Sequence, residues 1–498
     1  MACCLFVEQN QYTTAVLASI EDVAGATARV DAAVRVVLGE VMAQRRSAGV
    51  AFDYVTALSP GTRANCWALA EAAGHEGWGR MQALLGAYRW DWREVRGRLA
   101  GLAAGWIPDV EGDLIGPGIA IDETAHLKQG DVTACVAPQH AGCTGKVENC
   151  VTTVFSAYVT VAGQAWVDFD VYQPRRWARD TARRQAAGIP DDLEFATKPA
   201  LAMAQLDRLV AAGVPARWAA FDEVYGRSEP LRRKAARAGL AYAAIIPCDY
   251  LIRTPAGTTM RADAAVAGAV FERRSCGAGS KGPRYSDWAM TATNIPGQCL
   301  LIRRLISRPE QYTFYLCWAP SDRPASMTYF ITIAGRRWPV EETFKIGKDM
   351  LGWDQSQTRS FTGICRHTAL AALAHLRAAA IGASLSDSIH LPDAEHTILP
   401  PAPARQDPTS HTDLSIPLGD SPVPDHGGKP CPPAIAAIKL SIAETTRLAR
   451  LATQYTTGLI SRARVAFALR WSYRRRRHQA IARWHHYNTR LLAPTRTG

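Results

Sequence analysis

With 498 residues and 48% hydrophobic content, the chain is too long for a single hydrophobic core and apolar enough to fill two or three folded units, which excludes a wholly disordered protein. The formal net charge is +12, but ten arginines and no acid lie between Ser461 and Gly498, so the excess belongs to the tail and the rest is close to neutral. The twelve cysteines are scattered without a Cys-x-x-Cys spacing, which argues against zinc and for a reduced cytosolic protein.

The N-terminal stretch MACCLFVEQNQYTTAVLA lacks a basic start before a long apolar run. No later segment reaches about 18 uninterrupted apolar residues, so neither secretion nor a membrane span is expected. Residues 12 to 108 are rich in Ala, Leu and Val at helical spacing, and residues 1–110 are predicted to form a helical N-terminal domain. Within it, ANCWALAEAAGHEGWGRMQALLGAY reads as two helices joined by a turn at Gly74 to Gly77, which fits a DNA-reading helix-turn-helix or a plain helical bundle equally well.

From Leu114 the pattern changes. LIGPGIAIDET is a short apolar run ending in acids, and Val151 to Tyr172 reads as two β-branched strands with a turn at Ala162-Gly163. After Pro199 come an amphipathic helix, the strand ARWAAFDEVYG, a helix capped by Ser228 and closed by Gly239, and the strand AYAAIIPCDY. Strands alternating with helices over 111–250 predict an α/β sheet with some parallel pairing. Residues 251–330 read as a β-rich insertion, in which the loop ERRSCGAGSKGPRYSDW precedes strand-like CLLIRRLI and YTFYLCWA.

Helices resume over 331–385 with RRWPVEETFKIGK and GICRHTALAALAHLRAAAIGA. Between Ser386 and Ile435 lie 11 of the 29 prolines, with seven acids and two bases, so 386–435 is predicted to be a flexible linker. The last segment, 436–498, is a basic helical tail in which Arg474, Arg475, Arg476 and Arg477 are interleaved with Trp471, Tyr473, Trp484 and Tyr487. That mixture suits phosphate contacts and base stacking; the plainer alternative is a solvated helix.

Two acids stand at the C-terminal ends of predicted strands, Asp122 in IAIDETAHLKQG and Asp222 in WAAFDEVYG, where side chains of α/β sheets converge on ligands. With one helical glutamate they form the minimum cage for a pair of divalent cations engaged in phosphoryl transfer. Acids at strand ends are also ordinary turn residues, and the pattern leaves both readings open.

The motifs IDETAHLKQG, GKVENCVTTVFSAYVT, FATKPALAMAQLDRLVAAGVPARWAAFDEVYGR, GAGSKGPRYSDWA and RRWPVEETFKIGKDMLGWDQ, followed by RHTALAALAHL, resemble in this order the bacterial insertion-sequence transposases of the DDE class. The similarity is to the insertion-sequence-four superfamily and its IS-seven-oh-one branch, and it runs from about Arg63 to Ala380 and again in the tail. The resemblance implies an α/β, RNase H-like mixed sheet with flanking helices, interrupted by a β-rich insertion. It also implies Asp122 and Asp222 as the first two catalytic acids. The family's third acid lies in a signature Tyr-x₂-Arg-x₃-Glu-x₆-Lys, which Arg337, Glu341 and Lys348 match, whereas Ala334 stands at the tyrosine position.

Helical geometry makes the same choice between the two adjacent glutamates. At about 100° per residue, Lys348 sits about 20° from Glu341, and Arg337, Trp338 and Phe344 fall within about 60°, while Glu342 lies roughly 100° away. The competing account of the stretch is a Glu341–Lys345 pair at i,i+4, worth a few tenths of a kcal/mol. Glu123 and Glu223 are expected to support the site or face solvent rather than to ligate.

The expectation is therefore that Asp122, Asp222 and Glu341 hold two Mg²⁺ (or Mn²⁺), with Arg337, Lys348, Lys128 and the tail arginines contacting phosphates. The substrates would be double-stranded DNA, as terminal inverted repeats and target DNA, bound by a homodimer assembled on DNA in a bacterial cytoplasm, associated with the nucleoid, with no membrane involved. Relatives with the full signature cut the second strand through a hairpin, aided by a base-stacking tryptophan, a part open to Trp288 or Trp318. Two rival readings are a non-catalytic, transposase-derived DNA-binding protein and a glycosidase with paired acids.

Overall fold

The computed structural model describes residues 2–142, 144–279, 282–386 and 441–492. The Pro-rich segment 386–435 lies, but for Ser386, outside the described residues.

Five helices lead the chain: α1 (Ala2–Val41), α2 (Arg45–Ala57), α3 (Cys66–Ala72), α4 (Gly79–Leu85) and α5 (Trp92–Trp106). Side-chain caps fix two of their starts, Asn65 accepting from the Ala68 amide and Asp91 from the Arg93 amide, both at 2.9 Å. The turn from Gly74 joins α3 to α4.

The sheet begins with β1 (Gly118–Leu127), β2 (Ala137–Ala141), β3 (Lys146–Val159) and β4 (Gln164–Val171), paired antiparallel. The hairpin read over Val151–Tyr172 is β3–β4. Short helices α6 (Arg175–Ala178) and α7 (Thr181–Ala186) and the amphipathic α8 (Lys198–Ala211) lead to β5 (Trp218–Phe221), which lies parallel to β1. A single turn α9 (Glu223–Gly226) and helix α10 (Glu229–Arg237) return the chain to β6 (Ala241–Ile246), parallel to β5. Ser228 caps α10 as expected. Every residue of β5 is buried, as strands covered on both faces require. The order β4-β3-β1-β5-β6, antiparallel on one side of β1 and parallel on the other, is the RNase H-like mixed sheet.

The β-rich insertion differs from the sequence reading in two ways. A small ladder of β7 (Leu251–Arg253) and β8 (Thr259–Arg261) stands apart. The strands β9 (Glu272–Gly279), β10 (Gly282–Ala292), β11 (Gln298–Arg304) and β12 (Tyr312–Trp318) instead extend the core sheet, with β12 antiparallel to β6, to ten strands. The segment read as a Gly- and basic-rich loop is largely the β9–β10 hairpin. Its β9 is an edge strand, where exposed arginines such as Arg273 and Arg274 cost nothing and mask the apolar alternation of a strand.

Helices α11 (Met327–Arg336), α12 (Trp338–Lys345), α13 (Phe361–Ser386), α14 (Ile442–Thr456) and α15 (Arg462–Leu492) complete the fold. Packed against α1, α2, α4, α5, β4 and α14, α13 is buried on all sides. Its stretch Phe361–Leu385 is long and apolar enough to cross a membrane by length and composition, although charged residues interrupt the apolar run, and it is mostly buried in protein. The interrupting cations have partners there: Arg366 donates to the Gly86 and Trp90 carbonyls, and Arg377 pairs with Asp31. Among the described residues one continuous core runs from α1 through the sheet to α15, with a second cluster under β7, β11 and β12.

Candidate active site

Register brings the two aspartates together. Parallel pairing of β1 with β5 ends at Ile121 opposite Phe221, so the next residue of each strand, Asp122 and Asp222, falls at the mouth of the same gap. Asp122 is not at the end of its own strand, because β1 continues to Leu127 in its pairing with β3; it marks the end of the parallel ladder. Asp222 also caps α9, accepting from the Tyr225 amide at 3.1 Å. Alternation along β1 turns Glu123 to the opposite face from Asp122. There Glu123 accepts from Lys198 Nζ at 2.6 Å and from the Tyr225 hydroxyl at 2.5 Å. Glu223 is exposed and pairs with Arg227.

Arg337 is the residue at which α11 hands over to α12. Its guanidinium bridges two carboxylates, Nη1 donating to Asp122 Oδ2 at 3.1 Å and Nη2 to Glu341 Oε1 at 2.5 Å. The adjacent glutamates therefore diverge: Glu341 pairs backward to Arg337, and the exposed Glu342 accepts from Gln164 Nε2 at 3.0 Å. The helix is seated by Trp166, whose indole donates to Thr343 Oγ1 at 2.8 Å. A Cβ on Gly347 would come within 2.0 Å of the same ring, so only glycine permits that contact.

Beyond Lys345 the backbone widens into a π turn, Ile346–Met350, so a uniform wheel does not reach Lys348. Its Nζ instead donates to the Ala125 carbonyl at 2.7 Å, three residues along β1 from Asp122. Lys128 donates to the Ser356 carbonyl at 2.6 Å, and burial holds its pKa down at about 8.

Burial, with the Asp222 charge added, pushes the Asp122 carboxyl up to about 8, although Arg337 pulls the other way. Burial also raises Asp222 to about 6, against the opposing hydrogen bond from the Tyr225 amide. Both carboxyls therefore hold their protons more tightly than free aspartates do, chiefly because burial penalises the charged form.

The remaining predicted residues are more dispersed. Arg475 pairs with Glu444, as does Arg447, while the side chains of Arg474 and Arg477 lie outside those described and Arg476 is half-buried. The two tryptophans offered as base-stacking partners serve the sheet. Trp288 is 1% exposed with its indole donating to the Arg274 carbonyl, and Trp318 stacks on Tyr242. Buried to that extent, the Trp288 ring has no open face for a base, whereas Trp318 is half-buried.

Sequence reasoning passed over two features. Tyr225 ties both aspartate-bearing strands together, holding Asp222 by its amide and Glu123 by its hydroxyl. A buried ionic cluster joins α5, β4 and α8: Asp168 takes a two-pronged contact from Arg208 at 2.8 and 3.1 Å, and Arg96 donates to Asp170 at 3.0 Å. The signal was present as Asp-Phe-Asp, acids alternating with an apolar residue inside a strand.

Asp122, Asp222 and Glu341 offer the hard oxygens that Mg²⁺ or Mn²⁺ prefers, and the two raised aspartates mark a place where added positive charge would be stabilising. Among the described residues, however, no three His, Cys, Asp or Glu side chains stand close enough together to hold a metal. Arg337 takes up the space between Asp122 and Glu341.

Residues 38–286, half of the chain, match the family described as DDE superfamily endonuclease, and the chain belongs to that family. The matched span contains Asp122 and Asp222 but ends before Glu341. No curated protein matches the chain. Among solved structures it is similar to the cryo-EM structure of a piggyBac transposase synaptic complex with hairpin DNA, at 11% identity and a TM-score of 0.35, covering 69% of this chain and 66% of that one. The chain thus spans slightly less than two thirds of that relative's length.

Proposed function

We propose that the protein is a DDE transposase of the insertion-sequence-four type, IS-seven-oh-one branch, from a bacterial mobile element. It cuts the element's ends and joins them to target DNA, both as phosphoryl transfers. The observation that carries this reading is the convergence of Asp122 and Asp222 at the end of the β1–β5 ladder, with Glu341 linked to Asp122 through one arginine.

Asp122, Asp222 and Glu341 would hold two Mg²⁺ (or Mn²⁺), which when bound supply Lewis acidity and charge neutralisation for the reacting phosphate. Tyr225 and Lys198 keep β1, β5 and α8 in fixed relation beneath the acids. Lys348 and Lys128, anchored on backbone carbonyls along this end of β1, stand ready to exchange those contacts for phosphate oxygens. The tail arginines supply further phosphate contacts, and the DNA partners are terminal inverted repeats and target DNA bound by a homodimer.

Cleavage of terminal-repeat DNA in Mg²⁺ by the native protein and by Asp122→Ala tests the assignment: the variant is expected to lose cutting while retaining DNA binding. Undiminished cutting would overturn it. Binding without cutting by the native protein would favour the non-catalytic reading, to which the arginine lodged between Asp122 and Glu341 lends some support.

A further inference from the structure

The side chain that stands between Asp122 and Glu341 is a cation. Arg337 is largely shielded, with 16% of its side chain exposed, and donates to Asp122 with one nitrogen and to Glu341 with another. Its position is fixed from both sides: the backbone at the α11–α12 junction holds the stem, and the paired acids hold the head. Alternative anchors for those acids are few. Asp122 has otherwise only the Glu123 amide, at 2.8 Å, and Glu341 has no other ion pair described.

We infer that Arg337 is a resident counter-ion of the catalytic carboxylates, occupying the metal's place until a divalent cation displaces it. This rests on the metal reading of Asp122, Asp222 and Glu341 proposed above. One guanidinium and one divalent cation cannot both lie between the same two carboxylates, so each excludes the other and the two compete in the manner of ligands for one site. Displacement frees a fork of N–H donors within a side chain's reach of the acids, the geometry that suits a phosphate diester. Asp122 and Glu341 would hold the cation where the guanidinium now lies, and Arg337, once released, would donate to a phosphate of the DNA backbone. DNA that engages Arg337 correspondingly makes the acids easier to fill, since it removes their competitor.

Mn²⁺ binding to the DNA-free, full-length protein, followed by electron paramagnetic resonance of the free ion, tests this without a cleavage assay. A bridge formed in about nine molecules of ten lowers apparent affinity about tenfold. Arg337→Gln is therefore expected to bind Mn²⁺ about tenfold more tightly than the native chain. Arg337→Lys retains the charge but cannot bridge two carboxylates with a planar fork, and it is expected to recover most of that gain. Affinity in Arg337→Lys equal to the native value, with a gain only in Arg337→Gln, would mean a through-space charge effect and would overturn displacement. Equal affinity in all three proteins, together with loss of binding in Asp122→Asn, would overturn the counter-ion while leaving the metal site intact. No Mn²⁺ binding by any of them would overturn the metal reading and this inference together. Thermal melts without metal, run in parallel, confirm that each variant is folded.

Discussion

Gly226 closes the turn that carries Asp222, and replacing it with alanine is the most direct test of how tightly the site is built. A Cβ there would lie 1.9 Å from the Ile245 carbonyl oxygen of β6, against a lower limit of 3.0 Å for such contacts, so α9 and β6 must separate by about 1.1 Å. Neither side can give through a flexible side chain, because the obstacle is backbone inside the sheet. Asp222 precedes the same turn and its carbonyl accepts from the Gly226 amide at 2.6 Å, so the aspartate moves with it. A displacement of this size at catalytic groups costs on the order of 100-fold in rate. The overpacking should also lower stability by about 1–3 kcal/mol. The assay is Mg²⁺-dependent cleavage of terminal-repeat DNA beside chemical denaturation, with Gly97→Ala as control, since that helical glycine has open space around its Cβ position. Native cleavage and native stability in Gly226→Ala would refute both the close approach and the placing of Asp222 in the chemistry.

Two other outcomes follow from the charges. Asp122 has a folded pKa near 8 against an ordinary 3.8, so the folded state holds its proton more tightly; this contribution to stability is complete below about 3.8 and is lost as pH rises through about 8. The metal-free melting temperature of the native protein should therefore fall across that window more steeply than that of Asp122→Asn, as differential scanning calorimetry at several pH values would show; parallel curves would contradict it. Asp168→Asn removes the two-pronged acceptor of Arg208 and leaves Asp170 as the carboxylate that still pairs with Arg96 and Arg208, so it should cost about 2 kcal/mol in urea denaturation, with a loss below 1 kcal/mol counting against the cluster as a tie between α5, β4 and α8.

What the sequence disclosed was what local chemistry determines. The β3–β4 hairpin, the Ser228 cap and the buried strands leading into Asp122 and Asp222 are written in contiguous residues, and they formed where expected. The divergence of Glu341 from Glu342 followed from helical periodicity over a few residues. Lys348 escaped the same projection because the π turn between it and Glu341 is a response to packing. The extension of the core sheet by β12 was hidden for a related reason: its pairing with β6 joins segments some 70 residues apart, and no local pattern encodes the partner. Arg337 was recognised as a neighbour of Glu341, but its hold on Asp122 depends on bringing together positions 215 residues apart.

The buried helix α13 has a consequence for how the chain reaches this state. Its partners α1, α2, α4 and α5 are synthesised some 250 or more residues earlier, whereas α14 follows it only after the Pro-rich segment. The first helices therefore leave the ribosome with their mating surface missing and must wait for residues 361–386 before their apolar faces are covered. Closure over such a separation is slow, and the waiting helices expose the kind of surface on which chaperones act and aggregates grow. Truncation before Phe361 would consequently do more than delete one helix: it would leave the N-terminal helices permanently in their unfinished, adhesive condition.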